Sequence, residues 1–85
     1  MDRQKLSSKR DKLKCQYNKV WDYLLARLSK RQMCKFQRYN VQPHDLRGTE
    51  ILQITTNKRN IEAFIKLKEL HTRQEGIFLT LQERA

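Results

Sequence analysis

Residues 49–81 read T-E-I-L-Q-I-T-T-N-K-R-N-I-E-A-F-I-K-L-K-E-L-H-T-R-Q-E-G-I-F-L-T-L. Apolar side chains recur here at helical spacing in three runs: Ile51 and Leu52 with Thr55, then Ile61, Phe64 and Ile65 with Lys68, then Ile77, Phe78 and Leu81. Only a few residues separate one run from the next. Links this short force antiparallel or steeply crossed neighbours, so the reading is a compact helical bundle. Lys58, Arg59 and Asn60 make the first turn, with Asn60 suited to the left-handed conformation of a short link. Thr72 caps the last helix, with Glu75 three residues on, in the capping-box pattern. The middle helix, Ile61 to His71, is apolar on more than one side and is expected to be the central one.

Working towards the N-terminus, Asn40 to Asp45 is the clear loop, because Pro43 disfavours helix at Gln42. Asp45 is then a cap for a helix over residues 46–57. Ser29 opens the preceding helix, whose inner face is Met33 and Phe36. Val20, Trp21, Leu24, Leu25 and Leu28 form the strongest apolar face in the chain. A first helix spans about Asp2 to Tyr17, with Leu6, Leu13 and Tyr17 on one stripe and a turn at Asn18. The expectation is one domain over residues 1–85: six short helices, with Trp21, Phe64 and Phe78 in the core.

Eighty-five residues with 38% apolar content, two Gly and one Pro suit a small helical domain. A chain this short buries roughly 60–65% of its unfolded surface. Apolar runs are too short for a membrane span, and the N-terminus has no secretory pattern. Cys15 and Cys34 are expected to be free, partly or wholly buried thiols in a reducing compartment, which places the protein in the cytoplasm. The spacings of Cys15, Cys34, His44 and His71 match no metal-ligand pattern, so no metal or other cofactor is expected. His44 and His71 each sit beside an expected helix end, where a cap or dipole contact is their natural role. Nor do paired carboxylates, a nucleophile–base pair or a Gly-rich phosphate loop appear, so this segment is not expected to be an enzyme.

The dominant chemical property is charge. Nineteen Lys and Arg against nine Asp and Glu leave +10, which draws anionic partners. The cations are dispersed from Arg3 to Arg84, without the block expected of a nucleic-acid arm.

Several segments resemble the caspase recruitment domain, a branch of the death-fold superfamily. They are R-D-K-L at Arg10 to Leu13, V-W-D-Y-L-L-A-R-L-S at Val20 to Ser29 and Q-P-H-D-L-R-G-T-E-I-L at Gln42 to Leu52. The run from Lys58 to Leu81 is similar as well, with Asn60 where Gly is usual and Lys68 and Glu69 in place of small or apolar residues. The resemblance implies an all-α, six-helix Greek-key bundle. It also implies homotypic contact with another recruitment domain, in a caspase or an adaptor, within an oligomeric platform. The segment would then recruit or regulate a caspase in apoptotic or inflammatory signalling, as an adaptor or as the prodomain of a caspase.

Carried over residue by residue, the resemblance assigns Arg10 to the basic step of helix one, flanked by Lys9 and Lys12. It assigns Arg47 to helix four and Asp22 to the acidic position of helix two. Lys30 and Arg31 stand on helix three, where acids are usual. The expected module is therefore lopsided, binding a partner with an acidic face better than it binds itself. No membrane partner is expected. The alternative is a basic helical nucleic-acid-binding protein, with Arg27, Lys30, Arg31, Lys35 and Arg38 against phosphates and Tyr39 stacking.

Overall fold

The computed structural model describes residues 2–83. Four α-helices follow one another: α1 (Asp2–Arg27), α2 (Lys30–Arg38), α3 (Gly48–Ile54) and α4 (Lys58–Glu83), with a short 3-10 turn, Pro43–Asp45, between α2 and α3. No strand occurs among the described residues.

Among the described residues the fold is all-helical, but the six expected helices are four. The first two are one continuous helix, and so are the last two. At Asn18 nothing breaks α1. The stripe Leu13, Tyr17, Val20, Trp21, Leu24 keeps helical spacing straight through it, and an interior Asn costs only about 0.7 kcal/mol against Ala. The same holds at Thr72. The stripe Phe64, Leu67, Leu70, Gln74, Ile77, Leu81 passes beneath it without a gap. Thr72 is exposed, and its hydroxyl donates to the Lys68 carbonyl at 2.9 Å, the habit of a threonine inside a helix. Glu75 turns to His71, one turn back, rather than to a cap.

Other ends lie where local chemistry puts them. Ser29 is extended (φ −72°, ψ 165°), accepts from the Gln32 N–H at 3.2 Å and donates its own N–H to the Gln32 side chain at 2.9 Å. The left-handed residue is Asn40 (φ 52°), just past α2, not Asn60. Before α3 the cap is Arg47 rather than Asp45; its N–H donates to Glu50 Oε1 at 2.8 Å. Asn57 starts α4, its side chain accepting from the N–H groups of Arg59 (3.0 Å) and Asn60 (3.3 Å). The turn is thus Thr55–Asn57, and the expected turn residues Lys58, Arg59 and Asn60 lie inside α4.

Helices α1 and α4 pair antiparallel. Arg10 meets Phe78 near one end, and Arg27 Nε donates to Asn60 Oδ1 (3.0 Å) at the other. Asn60 is buried, and its amide donates to Thr55 Oγ1 at 3.5 Å. The core lies between the Arg27–Asn60 end of this hairpin and the three short elements. Leu24, Leu28, Phe36, Leu46, Ile51, Ile54, Phe64 and Leu67 form it, with Trp21 half-buried and tilted against Phe36 at 5.4 Å. Each fully buried side chain of this size stabilises by about 1.5–3 kcal/mol. The middle of the expected central helix is therefore central, although Ile65 within it is exposed.

Beyond Tyr17 on α1 and His71 on α4, the two helices run on as a pair. Among the described side chains, every buried apolar residue of α4 (Ala63, Phe64, Leu67, Leu70) lies in its first half, and the buried apolar residue of α1, Leu24, lies near its last turn. The molecule measures 47 × 19 × 18 Å, with a radius of gyration of 14.8 Å. A compact domain of this length would have about 12 Å. The expected compact bundle is therefore a small bundle with a two-helix arm. Phe78 is on that arm and 40% exposed, not in the core.

Candidate functional site

The arm carries an open groove of about 570 Å³ between α1 and α4. Half-buried Leu13 from α1 and Ile77 from α4 line its floor; exposed Lys9, Lys12 and Arg73 line it as well, together with Gln16, Gly76 and Thr80. Gly76 borders open space on the α4 side: a Cβ placed there meets nothing within 4 Å.

The expected site residues are distributed as follows. Lys9 and Lys12 share this groove. Arg10 sits beside them in sequence but lies over the Phe78 ring, 5.0 Å from its centroid, a cation–π contact worth about 0.5–1 kcal/mol when exposed. Asp22 is exposed near the C-terminal end of α1, Lys30 and Arg31 are exposed in the first turn of α2, and Arg47 is the exposed cap of α3. Arg73 completes the cationic lining; it is visible only once α1 and α4 are known to be antiparallel and in register.

Among the described side chains, the close His–carboxylate contacts are His44 with Asp45 (3.7 Å) and His71 with Glu75 (3.2 Å), each an ion pair only when the ring is protonated. No Lys or Arg there lies within ion-pair distance of a carboxylate, so the basic surplus is left to face solvent.

A second polar cluster closes the inner end of the arm. Tyr17 Oη and His44 Nδ1 are 2.7 Å apart, linking α1 to the 3-10 turn. The His44 and His71 rings stack with centroids 3.5 Å apart and planes 10° apart, linking the turn to α4. Burial, with the neighbouring His71, pushes His44 below its ordinary value, against the pull of Asp45 and Glu75. Burial also pushes the Tyr17 phenol up; the His44 contact opposes this and Asp45 adds to it. The histidines therefore tie elements together; His71 is not at a helix end. Among the described residues no group of three or more His, Cys, Asp or Glu is placed to hold a metal ion.

Both cysteines are free and, contrary to expectation, exposed. Cys15 falls between Leu13 and Tyr17 on the outward side of α1, and Cys34 lies outside the Met33–Phe36 stripe of α2. The row expected to face phosphates is partly engaged within the protein. Arg27 binds Asn60 and lies over Tyr23 at 5.1 Å, Lys35 Nζ donates to the Gln53 carbonyl at 3.4 Å, and the Tyr39 hydroxyl donates to the Gln53 side chain.

No described helix is long and apolar enough to cross a membrane. Comparison with protein-family models, with curated proteins and with solved structures finds no match.

Proposed function

We propose that this chain is a non-catalytic recognition module that binds an acidic protein surface through its exposed cations. The observation that carries the reading is the unspent charge: +10 overall, with no Lys or Arg in an ion pair among the described side chains. Charges left in water contribute little to the stability of their own fold. Opposite a complementary face they steer encounter and fix orientation.

A recruitment domain with an acidic face, in a caspase or an adaptor acting in the cytoplasm, is the narrower form of this partner. That form rests on the resemblance of the sequence segments. Its six-helix frame would require α1 and α4 each to divide, and Lys9, Lys12 and Arg47 would have to act from one surface. Nucleic acid is the competing partner. The internal engagement of Arg27, Lys35 and Tyr39 favours protein over phosphate recognition.

The test is a titration of the purified chain against an acidic recruitment domain, an unrelated acidic helical protein and a duplex oligonucleotide, each over a range of salt. Binding of acidic protein that weakens moderately with salt supports the module. Preferential binding of the oligonucleotide, with a salt slope matching several phosphates, would transfer the function to nucleic acid. Arg10→Glu separates the narrower form, since a recruitment-type contact through helix one loses affinity with that change.

A further inference from the structure

The arm groove has two chemically different parts, an aliphatic floor and a cationic lining. We infer that it takes one face of an acidic amphipathic helix. An apolar side chain of that helix enters over Leu13 and Ile77, and flanking carboxylates meet Lys9, Lys12 and Arg73. The inference rests on the acidic-partner reading above and assigns it a place.

The floor decides against phosphate as the occupant. A nucleotide chain asks for cations at regular spacing and aromatic faces to stack on. This groove has aliphatic side chains at its base and cations around them, which matches an apolar anchor ringed by acids. Charge decides against a second copy. Across Lys5–Gln16 and Thr72–Leu81 the arm has Lys5, Lys9, Arg10, Lys12, Lys14 and Arg73 against Asp11 and Glu75, and Glu75 is engaged with His71. Two such arms repel, whereas an acidic helix is attracted. The arm is also where the fold leaves an apolar seam half-covered: Leu13, Ile77 and Leu81 are half-buried, and Phe78 and Leu79 are exposed. A third helix laid along α1 and α4 continues the packing that α2, the 3-10 turn and α3 supply at the other end.

The experiment uses the full chain and a labelled synthetic helical peptide with leucines on one stripe and glutamates elsewhere. Two control peptides carry serine for leucine or lysine for glutamate. Binding is followed by fluorescence anisotropy for wild type, Arg73→Glu, Lys12→Glu, Gly76→Phe and the distant Lys30→Glu, with circular dichroism confirming that each is folded. Gly76→Phe fills the groove from a position where a Cβ meets nothing, so it blocks entry while leaving the charges in place. The expected result is a loss of about tenfold or more in affinity for Arg73→Glu and for Gly76→Phe, little change for Lys30→Glu, and failure of both control peptides. Loss with Lys30→Glu, and none with Arg73→Glu or Gly76→Phe, would overturn the groove while keeping an acidic partner. No binding of the acidic peptide to wild type, with or without tight binding of a duplex oligonucleotide, would overturn the inference and the acidic-partner reading together. A wild-type dimer in sedimentation that Gly76→Phe dissociates would give the groove to a second copy and overturn the inference.

Discussion

The imidazole rings of His44 and His71 lie face to face, 3.5 Å between centroids, although 27 residues separate Tyr17 from His44 on one side of the pair and a whole helix intervenes on the other. This stack, with Tyr17 behind it, is where the arm meets the bundle. It makes stability depend on pH in a defined direction. The His44 pKa is lowered on folding, so its contribution is fully present above the ordinary value of 6.5 and is lost as pH falls through the folded value. The groups facing it are Tyr17, His71, Asp45 and Glu75. Melting temperature is expected to hold above about pH 6.5 and to fall as the pH drops below it, towards and through the lowered folded value. His44→Gln should flatten that slope. An unchanged slope in His44→Gln would mean that the stack does not govern it. Tyr17 acts at the other end of the scale: its raised pKa gives a contribution present below pH 10.0 and lost as pH rises through the folded value.

Thr72 and Asn57 offer a direct test of where α4 begins. With Asn57 as its cap, Asn57→Ala costs about 1 kcal/mol, through loss of the bonds to Arg59 and Asn60. Thr72→Ala, in the middle of a helix, gains up to about 0.7 kcal/mol from propensity. If a separate last helix began at Thr72, the signs would be reversed at that residue, with a loss of about 1 kcal/mol. Urea titration of the two variants distinguishes these outcomes.

The same two residues show how much of the fold could be read in advance. The helical class, the Ser29 start, the loop around Pro43 and the burial of Leu24, Phe36, Phe64 and Leu67 all follow from spacing and local chemistry. Helix ends are hidden where a weak local signal meets a strong stripe. T-x-x-E at Thr72–Glu75 is a good cap pattern, but a cap forms only where the apolar stripe stops, and here Leu70, Gln74 and Ile77 carry it on. Phe78 looks like core in a short sixth helix and turns out to be half-open on an arm, because the length of α4 takes it past the last element that could cover it. The groove was half-legible. Lys9 and Lys12 are local neighbours, whereas Arg73 joins them only through the register of two antiparallel helices, which no local pattern encodes.

Burial separates the two phenylalanines of α4 quantitatively. Phe64 is fully enclosed, so Phe64→Ala is expected to cost about 3–5 kcal/mol. Total stability for a chain of this length is about 4–13 kcal/mol, so that variant should lose between about a quarter and all of it. Phe78→Ala removes a 40% exposed ring and its contact with Arg10, and should cost about 1 kcal/mol. Far-UV circular dichroism and denaturant midpoints are sufficient. Equal losses at the two positions would mean that Phe78 is covered in solution.

Cys15 and Cys34 are both exposed, so both should react with a thiol reagent in the native protein as readily as after denaturation. Replacing either with Ser should change stability by no more than about 0.5 kcal/mol, as for other surface positions. Protection of Cys15 on adding the acidic peptide would mean that a bound helix extends across the outer side of α1.

Gly76 joins stability to the groove. It lies inside α4 with no positive φ, so no backbone conformation requires a glycine there. An interior glycine costs a helix about 0.5–1 kcal/mol relative to alanine. A Cβ at this position has open space, so Gly76→Ala should be stabilising by that amount, raising the melting temperature without repacking Leu13 or Ile77. The same methyl group narrows the groove, so affinity for an acidic amphipathic peptide should fall while stability rises. That opposition is hard to produce by general damage to the fold, which would lower both. A melting temperature that drops in Gly76→Ala would mean that α1 and α4 approach more closely at Gly76 than the open groove allows.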